Sequence, residues 1–324
     1  MNKRTLPHNK VSKILIGACA LLAPALAVQS QIETNTTSLN KVTQSVSQNV
    51  NQTSKDLVAY KILVSDDALA RKIAISFHHA VLETNYQDDY IIADLTTKEI
   101  AQLKKQGLQI ETATEWNAKY KLFQQNIAHR LQQKSQGILM DGIPGFECYA
   151  TVEETLDEGA QFVVDYPNLA EWIDIGDSWN KANNQGGYDL MVLKLTNQSI
   201  VEDKPKLFVH SSMHAREYTP AALTLDFAKE LLTEYENNVD SQWILDYHEV
   251  HILFHMNPDG RKIAETGVLQ RKNTNQNHCP GLNVGVDLNR NFAYFWNSTS
   301  NGSSGFECDS TYRGGAPESE PETQ

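Results

Sequence analysis

The first hydrophobic pattern along the chain predicts a small α+β domain. Strand-like and helix-like runs alternate in the order 57–64, 66–73, 90–93, 97–105 and 108–110. A weaker strand near Val81 completes the order βαββαβ, which is that of a ferredoxin-like domain. We therefore expect residues 56–112 to fold as one unit, although this fold serves many functions and indicates none by itself.

From Thr151 onward a second pattern of strands and helices begins. Glu154 lies three residues after Thr151, which is typical of the capping box of a helix. Apolar runs predict strands at 172–175, 190–195, 207–209 and 251–256. Strands that alternate with helices predict an α/β fold in which helices cover both faces of a sheet.

One strand-to-helix loop of this second region carries the first candidate functional residues. Residues 207–209 predict a short buried strand, and the spacing of Leu223, Phe227 and Leu231 predicts an amphipathic helix. Between them, Thr219 and Pro220 are typical of an N-cap and a first-turn proline. Loops of this kind commonly carry the chemistry of α/β proteins.

His214 and Glu217 lie on that loop, three residues apart, so that both side chains can point the same way. A neutral imidazole and a carboxylate both suit Zn²⁺, and a distant third ligand would leave a fourth position open for water. Alone, a His-x-x-Glu pair is a weak signal, because a surface histidine beside a solvated glutamate is more common.

The N-terminal 27 residues predict an export signal. A basic start precedes the apolar run 14–26, and Ala25-Leu26-Ala27 predicts cleavage after Ala27. The apolar run is shorter than the ~20 residues that span a membrane, and no other stretch of the sequence predicts a transmembrane segment. We expect a secreted or periplasmic protein, with a lipoprotein modified at Cys19 as a minor alternative.

Composition defines two polar segments and excludes some partners. Residues 28–55 are rich in Ser, Thr, Asn and Gln, which predicts a flexible linker. Residues 113–145 are polar and helix-prone, which predicts a connector that ends at a Gly- and Pro-rich break. The formal charge of −12 argues against nucleic acid and anionic membrane surfaces as main partners.

Three further motifs follow the loop in a fixed order: Asn257-Pro258-Asp259-Gly260, Gln270-Arg271-Lys272-Asn273, and Gly285-Val286-Asp287-Leu288-Asn289-Arg290-Asn291-Phe292. Together with His214-Ala215-Arg216-Glu217, this set resembles the zinc metallocarboxypeptidases, the family of carboxypeptidase A. The resemblance runs from about Tyr149 to the end. It implies that residues 146–324 form the N-terminal part of a mixed-sheet, carboxypeptidase-like catalytic domain that binds one Zn²⁺ and hydrolyses C-terminal peptide bonds.

The resemblance also implies a role for individual residues. His214 and Glu217 match the first two zinc ligands, and Arg271 matches the arginine that stabilises the oxyanion. Asn289 and Arg290 match the pair that binds the C-terminal carboxylate of the substrate, which a guanidinium can hold bidentately. Arg216 matches an arginine that contacts the substrate upstream of the scissile bond, with a structural salt bridge as the alternative.

Zymogens of this family carry an N-terminal prosegment of ferredoxin-like topology, so the resemblance suggests the same role for residues 56–112. An activating protease would then cut in the connector. The alternative is an independent small domain that the mature protein keeps. Relatives also have a disulfide where Cys279 and Cys308 lie, which leaves Cys148 either buried or paired with something outside the chain. We expect a monomer that acts on peptide or protein C-termini.

The family's third zinc ligand, a late histidine, and its glutamate general base have no counterpart before Gln324. Two ligands hold zinc poorly, and without a base water is not deprotonated efficiently. We therefore expect this chain to be a fragment of a full enzyme and to be inactive, or nearly so, by itself. The alternatives are a non-catalytic, carboxypeptidase-like binding protein and an amidohydrolase of the same superfamily that acts on cell-wall peptides.

Overall fold

The computed structural model describes residues 57–135, 141–279, 281, 283–298 and 302–324. The expected signal peptide and linker, together with residues 136–140 of the connector, lie outside the described residues, so those predictions stay untested. None of the described helices has the length and apolar character needed to cross a membrane.

The N-terminal part of the described chain is a four-stranded antiparallel sheet with two helices. Its elements are β1 (Tyr60–Leu63), α1 (Asp67–Ser76), β2 (Val81–Asn85), β3 (Tyr90–Ala93), α2 (Thr97–Lys105) and β4 (Gln109–Thr112). The strands lie in the order β2-β3-β1-β4. The sheet and both helices bury one apolar cluster that includes Ile62, Ile91 and Leu103. The predicted order βαββαβ is therefore observed, and we call this unit the small domain.

The connector contains one long helix, α3 (Thr114–Ser135). Two of its aromatic residues, Tyr120 and Phe123, contact the C-terminal part of the chain. The rings of Phe123 and Phe146 lie 5.0 Å apart, and the Tyr120 hydroxyl donates a 3.0 Å hydrogen bond to the carbonyl oxygen of Gly267. A ring contact and a hydrogen bond thus hold the helix against the larger unit.

The larger unit is an α/β fold built on a mixed sheet, as predicted. Its elements are α4 (Val152–Asp165), β5 (Ala170–Asp177), α5 (Trp179–Ala182), β6 (Asp189–Leu195), β7 (Lys206–His210), α6 (Thr219–Thr233), α7 (Val239–Tyr247), β8 (Glu249–Leu253) and α8 (Pro258–Ala264). The strand order is β5-β6-β8-β7, in which only the pair β7–β8 is parallel among the described strands. Leu193, Ile252 and Phe254 are at the centre of its core.

Three local predictions around the central loop are wrong. Strand β7 is at the edge of the described sheet, so Leu207 and Phe208 are 52% and 53% exposed instead of buried. Helix α6 begins at Thr219, so the N-cap is Tyr218, which makes no side-chain capping bond. Leu223 is 66% exposed. Helix α6 packs against α4 and α7, and this contact buries a face that lies to one side of the predicted stripe, formed by Ala221, Leu225, Ala228, Leu231 and Leu232.

The capping box of α4 is observed and gives a test of local stability. The Thr151 hydroxyl accepts a bond from the Glu154 amide, while the Glu154 carboxylate accepts one from the Thr151 amide. We expect Thr151→Ala to lower the free energy of unfolding by about 1 kcal/mol, because it leaves a first-turn amide without its acceptor. Thr151→Ser keeps the hydroxyl and should lose less in urea unfolding. Equal losses would show that the methyl group of Thr151, not its hydroxyl, carries the stability.

Candidate metal and carboxylate site

The loop between β7 and α6 brings the two predicted zinc ligands together. His214 Nδ1 lies 3.0 Å from Glu217 Oε1. The Glu217 amide donates to the His214 carbonyl oxygen, so a tight backbone turn aims both side chains the same way. His214 is only 7% exposed, whereas about half of the Glu217 side chain is open to solvent.

Asp287 holds the other side of the imidazole. His214 Nε2 donates to Asp287 Oδ1 at 3.2 Å, and Arg271 donates to Asp287 Oδ2 from Nε at 3.2 Å and from Nη2 at 3.0 Å. Burial alone would raise the pKa of the Asp287 carboxyl, but the hydrogen bond from His214 and the charge of Arg271 lower this pKa to about 2. An ionised Asp287 accepts at Nε2–H, so a neutral His214 presents its Nδ1 lone pair to Glu217.

The spacing of His214 Nδ1 and Glu217 Oε1 suits a cation bound between these two atoms. Burial lowers the pKa of His214, but the bonds to Asp287 and Glu217 raise it more, so the pair favours a positive charge. Two ligands ~2.0–2.1 Å from a tetrahedral zinc lie about 3.3 Å apart, close to the separation found here. Among the described residues, no cluster of three or more His, Cys, Asp or Glu side chains is arranged to hold a metal ion. The separation of His214 Nδ1 and Glu217 Oε1 is thus compatible with their prediction as two zinc ligands.

The turn after Asp287 carries the predicted carboxylate-binding pair. Asp287 Oδ1 accepts from the Asn289 amide at 3.1 Å and so shapes the 3₁₀ turn Leu288–Arg290. The Asn289 side chain is exposed, and Arg290 is half-buried. Arg290 Nη1 donates to the Asn289 carbonyl oxygen at 2.8 Å, and Nη2 donates to His78 Nε2 at 3.1 Å. Asp287 therefore contacts His214 of the predicted metal-ligand pair, Arg271 and this turn.

The two remaining arginines are held by different partners. Arg271 is 5% exposed, and both side-chain hydrogen bonds that it makes among the described residues go to Asp287. Arg216 Nη2 donates at 2.5 Å to the carbonyl oxygen of His79, in the small domain. Arg216 therefore lies at the same face as Arg290, but it contacts a backbone carbonyl.

Buried amides and one glycine fix the backbone of the site. Asn257 Nδ2 donates to the carbonyl oxygens of Met213 and Lys272, which ties the His214 loop to the Arg271 segment. Gly285 has φ +96°, and a Cβ there would lie 2.1 Å from the carbonyl oxygen of Asn273. A side chain does not fit at this position, because the two segments of the site touch through their backbones.

The disulfide between Cys279 and Cys308 is formed, as predicted. The bond joins the chain segment that precedes Asp287 to the segment that follows it. Cys148 is free and exposed, which excludes the buried alternative, and pairing with a group outside the chain stays a prediction. Cys148 lies in the turn after the connector.

The contact between Asp287 and His214 was not predicted from the sequence. The signal was present, because a metal-binding histidine commonly donates its second ring nitrogen to a carboxylate. The sequence does not show which of many acidic residues meets His214, since the two are 73 positions apart.

Comparisons with known proteins give matches to carboxypeptidases. Residues 156–324 match the family described as zinc carboxypeptidase. The zinc carboxypeptidase of Saccharothrix mutabilis subsp. capreolus is 33% identical over 156 residues, which are 47% of this chain and 34% of that protein. Metallocarboxypeptidase A of Trichophyton tonsurans is 34% identical over 152 residues, which are 46% of this chain and 33% of that protein. The chain thus spans about a third of the length of these curated relatives.

Among solved structures, carboxypeptidase A from Helicoverpa armigera matches with a TM-score of 0.58 at 22% identity, over 82% of this chain and 64% of that chain. At this identity the match shows a shared fold. The family match covers more than half of the chain. The chain therefore belongs to the zinc carboxypeptidase family.

Proposed function

We propose that this protein is a secreted, monomeric zinc metallocarboxypeptidase that removes residues from peptide and protein C-termini. The observation that carries the proposal is the shared contact at Asp287. Its Oδ1 accepts from both His214 Nε2 and the Asn289 amide. A metal-ligand pair and a carboxylate-binding turn are therefore held at a fixed separation, which suits an enzyme that acts next to a chain terminus.

Each residue of the site has a distinct task in this proposal. His214 and Glu217 would hold Zn²⁺, which when bound supplies a Lewis acid that polarises a peptide carbonyl. Asp287 keeps the His214 ring in the orientation and tautomer that ligation requires. Arg271 Nη1 has no hydrogen-bond partner among the described residues, so it can donate to an oxyanion while Nε and Nη2 stay on Asp287.

Arg290 and Asn289 would bind the terminal carboxylate. A guanidinium binds a carboxylate through two parallel hydrogen bonds, and such charge-assisted bonds are worth ~1.5–3 kcal/mol each. A peptide bond in the middle of a chain has no free carboxylate to offer at this position. The pair therefore selects for cleavage at the C-terminus.

We also propose that the small domain is a prosegment. Its turn after α1 reaches both proposed substrate-binding arginines, because the His79 carbonyl oxygen accepts from Arg216 and His78 Nε2 accepts from Arg290. While these contacts persist, the two arginines are occupied by the protein's own chain. Cleavage of the connector by an activating protease would release them.

The zinc site can be tested by titration of the metal-free chain against a chelator of known affinity. We expect one Zn²⁺ per chain, and His214→Ala and Glu217→Gln should each weaken binding at least about tenfold because each removes a ligand. His251→Ala is the matched control, since His251 is bonded to Glu249 on β8, away from the site. Unchanged zinc affinity in both ligand variants would contradict the proposal.

The same preparation tests a separate expectation. Incubated with Zn²⁺ and an N-acylated dipeptide, this 324-residue chain is predicted to release little or no C-terminal amino acid. Efficient release would show that the expectation of an inactive chain is wrong, while it would support the carboxypeptidase activity itself.

A further inference from the structure

The contact between His78 and Arg290 depends on one form of the imidazole. His78 Nδ1 lies 3.1 Å from the carbonyl oxygen of Ile75, a group that can only accept, so Nδ1 carries a hydrogen. His78 Nε2 lies 3.1 Å from Arg290 Nη2, a group that can only donate, so Nε2 must present its lone pair. The geometry therefore requires a neutral ring with its hydrogen on Nδ1.

The surroundings of this imidazole are unfavourable to a second proton. The charged and titratable groups that face it are Arg290 and Arg271 of the larger unit and His79 of the small domain. Burial, and then the charges of Arg290 and Arg271, lower the pKa of His78 below its usual value near 6.5, against the opposing effect of the Ile75 carbonyl. A proton on Nε2 would point at the Arg290 guanidinium and place two positive charges at hydrogen-bond distance.

We propose that His78 makes the cover over Arg290 acid-sensitive, so that protonation of the imidazole detaches the turn of the small domain and opens Arg290 to an anionic ligand. The ligand class is a carboxylate, and this part rests on the function proposed above. The acid sensitivity of the contact does not rest on that function. It follows from which side-chain atoms of His78 and Arg290 can donate or accept a hydrogen bond.

The direction and the size of the response follow from linkage. The open state binds the proton better than the closed state, so opening becomes more favourable as pH falls through the ordinary histidine range, and the gain levels off below the pKa of the closed state. Of the two contacts, only that between Arg290 and His78 responds to pH. The bond from Arg216 to the His79 carbonyl oxygen involves no group that titrates in this range. Loss of one hydrogen bond predicts an increase in opening of about fivefold.

Exposure of Arg290 can be measured by reaction of the full chain with phenylglyoxal, followed by peptide mass spectrometry. Arg71 in α1 is exposed and serves as the internal reference, so the ratio of Arg290 to Arg71 modification removes the pH dependence of the reagent. From pH 7.5 to pH 5.5 we expect this ratio to rise about fivefold in the wild-type chain. His78→Gln keeps an acceptor that does not titrate, and its ratio should stay constant.

A second readout does not depend on labelling. In ¹³C-histidine NMR titrations, the pKa of His78 should be higher in Arg290→Gln than in the wild type, since the variant lacks the opposing charge. An equal change of the modification ratio in the wild type and His78→Gln, or an unchanged His78 pKa in Arg290→Gln, would overturn the proposal. Protection of Arg290 by N-acetyl-L-phenylalanine at pH 5.5 tests the carboxylate site separately, so failure of the proposed function would be recognised as such.

Discussion

Asp287→Asn is expected to weaken zinc binding by about 10–100-fold and to lower the free energy of unfolding by about 3–5 kcal/mol. The first effect arises because a neutral amide no longer fixes the His214 ring through a charge-assisted bond. The second arises because Arg271, which is 5% exposed, would keep its charge without the carboxylate that accepts from two of its nitrogens. Chelator competition and urea unfolding of the zinc-free chain measure the two effects independently.

Asp246→Asn is the matched control for this variant. Asp246 also accepts two side-chain hydrogen bonds, but they come from the neutral groups of Tyr235 and Asn197. Its replacement should cost about 1 kcal/mol or less and leave zinc affinity unchanged. If Asp287→Asn lost stability but kept wild-type zinc affinity, Asp287 would be only the partner of Arg271 and not the group that orients His214.

The contrast between these residues shows what the sequence can and cannot predict. The capping box at Thr151 and the His214–Glu217 pair were predictable, because each joins residues only three positions apart. The bond from His214 to Asp287 and the bond from Arg290 to His78 join residues 73 and 212 positions apart. Such contacts depend on how the sheet and the two units pack, which local periodicity does not encode.

Exposure around the central loop was mispredicted for the same reason. The apolar composition of β7 favours a buried strand, and yet Phe208 is half exposed because among the described strands β7 pairs only with β8. The spacing of Leu223, Phe227 and Leu231 correctly predicts a helix, but the face that α6 buries is chosen by its contacts with α4 and α7. Element type followed from the sequence, whereas orientation required the tertiary structure.

A buried pair of carboxylates near α5 gives the second large prediction, which concerns pH. Glu322 is 6% exposed and accepts from the Trp179 amide, while Asp259 is 3% exposed and accepts from the Asn180 amide. Asp259 Oδ1 has no hydrogen-bond partner among the described residues. Burial raises the pKa of Asp259 to about 6, and burial together with the charge of Asp259 raises the pKa of Glu322 to about 7.

The sign of the effect on stability follows from proton binding. Because the folded pKa of Glu322 is raised from 4.5 to about 7, the folded chain binds more protons than the unfolded chain between these values. Stability therefore falls as pH rises from about 4.5, and the loss is complete above about pH 7, where it amounts to roughly 3 kcal/mol for this residue.

We expect urea unfolding to show this loss between pH 5 and pH 8, and Glu322→Gln to remove most of it, since an amide does not titrate. Glu318→Gln, at an exposed position in the same segment, should keep the wild-type slope. If the free energy of unfolding of Glu322→Gln depended on pH as in the wild type, other groups would cause the pH dependence. Ionisation of Glu322 would then not destabilise the folded chain.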